Sequence, residues 1–205
     1  MKKIYLYSCL IVMVMLAGGC KKFLELEPKS AATDENFWKT QEDATASVAG
    51  MYALLRSAMN NANGMAYYAY GDLATDEFTS SNTYPFSQVL NMQWNLTVSA
   101  SDTGNPMYRL RRYDWFFQVI DQANRVIKHI PEMDARVFTS ETRRNYLLGE
   151  AYFVRAYVYF YMSRIWGDVP IVTDAVAPIN AINHEAAKAE QVAAQSLEDL
   201  SKAKQ

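Results

Sequence analysis

The chain has 205 residues, half of them apolar, with 14 Tyr, 9 Phe, 4 Trp and 10 Met. That length and apolar content suffice for one domain with a sizeable core and exclude a disordered segment. Its 20 basic and 22 acidic side chains give a formal charge of −2, which excludes the basic face that a nucleic-acid binder needs.

Lys2 and Lys3 open the chain, Ile4 to Leu16 is almost wholly apolar, and Ala17, Gly18 and Gly19 lead into Cys20. The run is shorter than the roughly 20 residues that cross a bilayer, so it reads as a secretory leader. A cysteine at that place predicts lipoprotein processing. Residues 1–19 leave as the signal peptide, and Cys20 takes lipid, palmitate among its acyl chains, on its thiol and new amino group. Lipoproteins usually carry Leu where Ala17 stands, and here Leu16 lies one step back; the alternative is an ordinary secretory signal. Cys9, the other cysteine, departs with the leader, so an acylated Cys20 leaves no disulfide and stability rests on the core. Without Lys2 and Lys3, 18 basic side chains face 22 acidic ones, a side-chain charge of −4.

Residues 20–36 read as a lipid-anchored tether, broken by Glu27-Pro28 because the residue before proline is pushed out of the helical region. Thr33 or Asp34 can cap a helical start, with Phe37 and Trp38 as apolar anchors. From Gln41 to Met59, Val48, Met51, Tyr52, Leu55 and Met59 recur at three- and four-residue steps, which predicts an amphipathic helix. Residues 60–107 lose this periodicity, are rich in Asn, Gly, Ser and Thr, and form a long irregular insertion of the kind that is often functional. A second helix is predicted over 113–130, with Trp115, Val119, Ala123, Val126, Ile127 and Ile130 as its stripe and Pro131 as its stop. A third is predicted over about 140–166, capped by Ser140 or Thr139 and stopped by Gly167. It is apolar nearly all round from Leu147 to Ile165, so neighbours are expected on both sides. Gly149 within it implies close helix packing. Val169 to Val172 reads as extended. A fourth helix is predicted over about 183–202, with Ala187, Val192 or Gln191, Ala194, Leu197 and Leu200 as its face. The sum is an all-α fold of helical hairpins.

Four segments together resemble one family. They are Cys20 with Phe23-Leu24-Glu25 and Pro28; Phe37-Trp38-Lys39-Thr40 with Asp43-Ala44 and Gly50-Met51-Tyr52; Ile120 to Ile127; and Gly149 to Ala156 with Tyr159-Phe160 and Trp166 to Pro170. The chain resembles the N-terminal part of the SusD/RagB outer-membrane nutrient-binding lipoproteins. The resemblance implies TPR-like helix pairs over 37–205 and a lipid-anchored place on the outer face of a Gram-negative outer membrane. It implies binding of oligosaccharide or another nutrient, and a SusC-like TonB-dependent transporter as partner. It implies a binding protein, not an enzyme, and no cofactor. Family members are considerably longer, so residues 37–205 are expected to be a truncated portion. Their uncovered apolar faces would leave residues 21–205, expressed alone, partly molten or self-associating.

Arg155 on a buried helix needs an acceptor, for which Asp121, Asn124 and Glu150 are the candidates. Asp168 after Gly167 is expected to bond its own turn. Trp38, Trp115 and Trp166 are expected in the core. Trp94, in the irregular region near Tyr67, Tyr68, Tyr70 and Tyr84, differs: an exposed aromatic ring stacks on the C–H face of a sugar, and polar neighbours bond its hydroxyls. Trp94, Asn95, Tyr84 and Asp76 are therefore the candidate ligand residues; the competing reading packs Trp94 under its loop. No metal-ligand cluster is expected of His129 and His184, and His129 suits the negative end of its helix. Two rival readings remain. An all-helical lyase or glycosidase would need an acid pair about 5 to 10 Å apart in a cleft, drawn from Asp114, Asp121 and Glu150. A periplasmic TPR adaptor would have no ligand pocket.

Overall fold

Thr40 and Asp43 start the first long helix as a capping box. The Asp43 N–H donates to Thr40 Oγ1 at 3.2 Å, and the Thr40 N–H donates to Asp43 Oδ2 at 2.8 Å. Partial burial pushes the Asp43 carboxyl up, but hydrogen bonds from Thr40 and Lys39 more than offset this and hold it below its ordinary value. The computed structural model describes residues 34–60, 71–77, 90–91, 110, 113–175 and 185–204. Two compact units divide the chain, Met1–Asn36 and Phe37–Gln205, and the long helices belong to the second.

After a helical turn at Asp34–Phe37 come α1 (Gln41–Asn60), α2 (Asp114–Glu132), α3 (Glu141–Ile165) and α4 (Ala189–Ala203). Among the described residues there is no strand, only an isolated bridge between Val169 and Ala187. The expected all-α hairpin architecture is what the chain adopts. α2 packs on α1 and on α3, and α4 packs on α3. The core lies where Ala44, Val48 and Met51 of α1 meet Val119, Ile120, Ala123, Val126 and Ile130 of α2 and Leu147, Ala151, Val154, Val158 and Met162 of α3. Burying each of the larger side chains is worth about 1.5–3 kcal/mol. Trp38, Trp115 and Trp166 pack against this cluster, as expected.

Three boundaries carry information. Ser140 caps α3 through a hydrogen bond from the Arg143 N–H at 3.0 Å. Gly167 stops it with φ at +73°, a conformation that favours glycine. Pro131 does not stop α2, which continues through Glu132. The Met133 N–H closes the last turn on the His129 and Ile130 carbonyls, and the Arg144 side chain donates to the Ile130 and Pro131 carbonyls at 3.3 and 2.9 Å. Arg144 of α3 thus supplies donors to two carbonyls at the end of α2, where a helix runs out of its own N–H groups.

α4 departs furthest from expectation. It starts at Ala189, and its predicted face goes inward only in part: Val192 is buried and Ala187 packs against the core, whereas Gln191, Ala194 and Leu197 are exposed. Val192, Ser196 and Asp199 are the buried residues. Gly149 sits where expected, at a close helix contact: a Cβ built there would lie 3.0 Å from the Ala203 carbonyl oxygen. α3 is likewise not covered all round, since Phe153 and Phe160 are exposed.

Candidate functional site

The long connection between α3 and α4 is bound at its root by polar groups from three helices. A helical hairpin ordinarily needs only a few linking residues, so a longer link held at defined backbone atoms is a built feature. Arg155 is the centre. Its Nε and Nη2 donate to Asp199 Oδ2 and Oδ1, both at 2.7 Å, with side-chain exposures of 3% and 0%. Its Nη1 donates to Asn124 Oδ1 at 2.7 Å and to the Thr173 carbonyl at 3.1 Å. Asn124 passes the bond on, donating to the Val172 and Asp174 carbonyls at 3.0 Å. The Tyr159 hydroxyl accepts from the Val172 N–H at 2.7 Å and donates to the Val172 carbonyl at 3.0 Å. Burial pushes that phenol up to about 12.

Of the acceptors expected for Arg155, only Asn124 serves. Asp121 instead pairs with Arg125 on its own helix at 3.0 Å, and Glu150 reaches Tyr52, whose phenol is raised by burial and by that carboxylate. The main acceptor, Asp199, was not foreseen: 44 residues separate it from Arg155. No local signal marks it, since Asp199 follows another acid, Glu198, and lies off the predicted apolar face of α4. Asp168 does not close its own turn. It accepts from the Ala189 N–H at 3.0 Å and pairs with Lys188 at 2.8 Å, capping the next helix. Those hydrogen bonds, from Lys188 first and then Ala189, hold its carboxyl below its ordinary value. The capping partner lies across a loop whose two ends the Val169–Ala187 bridge brings together.

A second feature is an open groove enclosing about 720 Å³. Tyr146, Gly149, Glu150 and Phe153 of α3 line it, with Tyr52 of α1 and Leu200 of α4 among the flanking residues. It offers aromatic faces with polar neighbours, without an aligned acid pair. Among the described residues no cluster of His, Cys, Asp and Glu can hold a metal ion, and no helix is long and apolar enough to cross a membrane. His129 stacks on Trp38 at 4.7 Å, and its Nδ1 lies 3.3 Å from Glu132. Of the candidate ligand residues, Asp76 is exposed just after the helical turn Asp72–Ala74. Trp94, Asn95 and Tyr84 lie outside the described residues, as do Cys20 and most of the irregular insertion.

Residues 22–205 match the SusD-like family model whose description is "Starch-binding associating with outer membrane". The chain belongs to the SusD-like family. It is 33% identical over 175 residues to SusD-like protein P38 of Formosa agariphila, a match covering 85% of this chain and 31% of that one. A solved SusD superfamily protein from Bacteroides thetaiotaomicron superposes with a TM-score of 0.70 at 27% identity, covering 81% of this chain and 35% of that one. A laminarin-binding SusD-like protein shares the fold at 20% identity, with a TM-score of 0.61 over 80% of this chain and 34% of the other. This SusD-like chain thus spans about a third of the length of such relatives. The TPR-like helix pairs expected from the sequence are the common ground. The Arg155 clamp lies within the matched span.

Proposed function

We propose that this SusD-like chain acts as a lipid-anchored, surface-exposed outer-membrane protein that binds oligosaccharide and passes it to a SusC-like TonB-dependent transporter. The family match over residues 22–205 carries the reading, because that family is described by starch binding and association with the outer membrane. Cys20 is the attachment point, directly after a leader with a positive start and an apolar run. The helix pairs act as scaffold and the irregular insertion as the ligand-bearing part. There Trp94 and Tyr84 stack on sugar rings, while Asn95 and Asp76 bond hydroxyls. The role is binding without catalysis. Three carboxylates in the helical scaffold support this by their structural employment: Asp199 holds Arg155, Asp121 holds Arg125, and Glu150 meets Tyr52.

Two measurements test the reading. Mass spectrometry of the mature amino terminus is expected to find Cys20 acylated; a free Cys20 on a secreted product refutes the anchor. Affinity electrophoresis in soluble starch or laminarin is expected to retard the chain, with the retardation weakened at least several-fold by Trp94→Ala. An unchanged Trp94→Ala removes that residue from the site.

A further inference from the structure

The connection from α3 to α4, residues 166–188, does not take the short path between its ends. Trp166 packs edge-on against Tyr113 at the start of α2, with 5.9 Å between ring centres. The connection therefore leaves the bundle at the end where the chain returns from the irregular insertion. Thr173 and Asp174 then meet Arg155 and Asn124, which lie in the middle of α3 and α2, so the connection doubles back along the bundle as a strap. Its main chain at 172–174 is fixed from the inside by three buried side chains. Arg155 gives it one hydrogen bond, Asn124 gives it two, and the Tyr159 hydroxyl makes two more with Val172, all between 2.7 and 3.1 Å. The outer side is different. Thr173 and Asp174 are exposed, and neither side chain has a hydrogen-bond or ion-pair partner among the described residues.

We propose that Thr173 and Asp174 form a second contact for an oligosaccharide, carried by the strap and separate from the insertion; this rests on the saccharide-binding role proposed above. Ordering a loop costs conformational entropy, and here a buried guanidinium, an amide and a phenol are committed to that end. The result is a hydroxyl and a carboxylate on consecutive residues of a pinned backbone, so they lose little freedom when they bind. Their chemistry suits sugar hydroxyls. The carboxylate accepts hydrogen bonds at two oxygens, and the threonine hydroxyl both donates and accepts. Position sets the size of the ligand. Asn124, which holds Asp174, stands about 15 Å along α2 from Asp114, at 1.5 Å of rise per residue. A ligand that touches the insertion and the strap together is a chain of several sugar rings, not a single sugar.

Affinity electrophoresis of the full chain, purified in detergent, tests it in gels holding soluble starch or laminarin, with Kd read from mobility against polysaccharide concentration. Asp174→Ala and Thr173→Val are each expected to raise Kd several-fold. Thr173→Ser, which keeps the hydroxyl, is expected to bind like the parent. Both side chains are exposed and without partners, so melting followed by circular dichroism is expected to match the parent, which separates lost contact from lost fold. Glu42→Ala is the control for charge: it removes an exposed acid in the first turn of α1 and is expected to change nothing. Unchanged binding by Asp174→Ala and Thr173→Val, with Trp94→Ala still weakening retardation, overturns the second contact and leaves the saccharide-binding role standing. An equal loss from Glu42→Ala also overturns it, because the effect is then one of net charge. A parent chain that neither polysaccharide retards overturns the contact and the binding role together.

Discussion

Asp199→Ala isolates the interaction that orients α4. The substitution removes both acceptors of the Arg155 guanidinium that come from α4, each at 2.7 Å, and leaves a positive charge whose own exposure is 3%. Asn124 and the Thr173 carbonyl remain, but neither carries charge. Removing one partner of a buried pair costs about 3–5 kcal/mol, since the stranded charge keeps its desolvation penalty. For a domain of this size that lowers Tm by roughly 6–20 °C. Asp121→Ala is the matched control: its pair with Arg125 is about one-third exposed on both sides and is worth about 0–1 kcal/mol. Urea denaturation followed by far-UV circular dichroism gives both values. The double variant Arg155→Met with Asp199→Leu is expected to recover more than half of the loss, because an apolar pair of similar volume removes the stranded charge. A cost for Asp199→Ala no larger than for Asp121→Ala would refute the reasoning.

Three further outcomes are expected. Tyr159 is held neutral by burial, with its phenol pushed up to about 12 from 10.0. A folded value above the unfolded one means its contribution, roughly 3 kcal/mol, is present in full below pH 10 and lost as pH rises toward about 12; the alkaline limb of a stability–pH curve should therefore flatten in Tyr159→Phe. Gly149→Val drives a branched side chain against the Ala203 carbonyl, 3.0 Å from where a Cβ would stand, and should cost about 1–3 kcal/mol, with faster amide exchange in the last turn of α4. Ser140→Ala removes the acceptor for the Arg143 N–H and should cost about 1 kcal/mol in the same urea assay.

Helices α1, α2 and α3 were legible because their signals are local. A cap residue, a three-to-four-residue apolar period and a terminating glycine act within a few turns of chain, so Ser140, Val48 and Gly167 could be read directly. The extension of α2 past Pro131 was not, because the donors that satisfy its last carbonyls come from Arg144 on another helix. The candidate ligand residues rest on composition alone, and of these only Asp76 falls within the described residues.

Sequence by itself determined that the chain is helical, where most of its helices begin and end, and which family it joins. Tertiary structure alone decided the rotation of α4 and the partner of Arg155. Apolar pattern assigned Leu197 to the inside, but a buried guanidinium demands a carboxylate more strongly than a leucine demands burial. Asp199 therefore turned inward and Leu197 was left at the surface. That competition between two distant residues has no period along the chain.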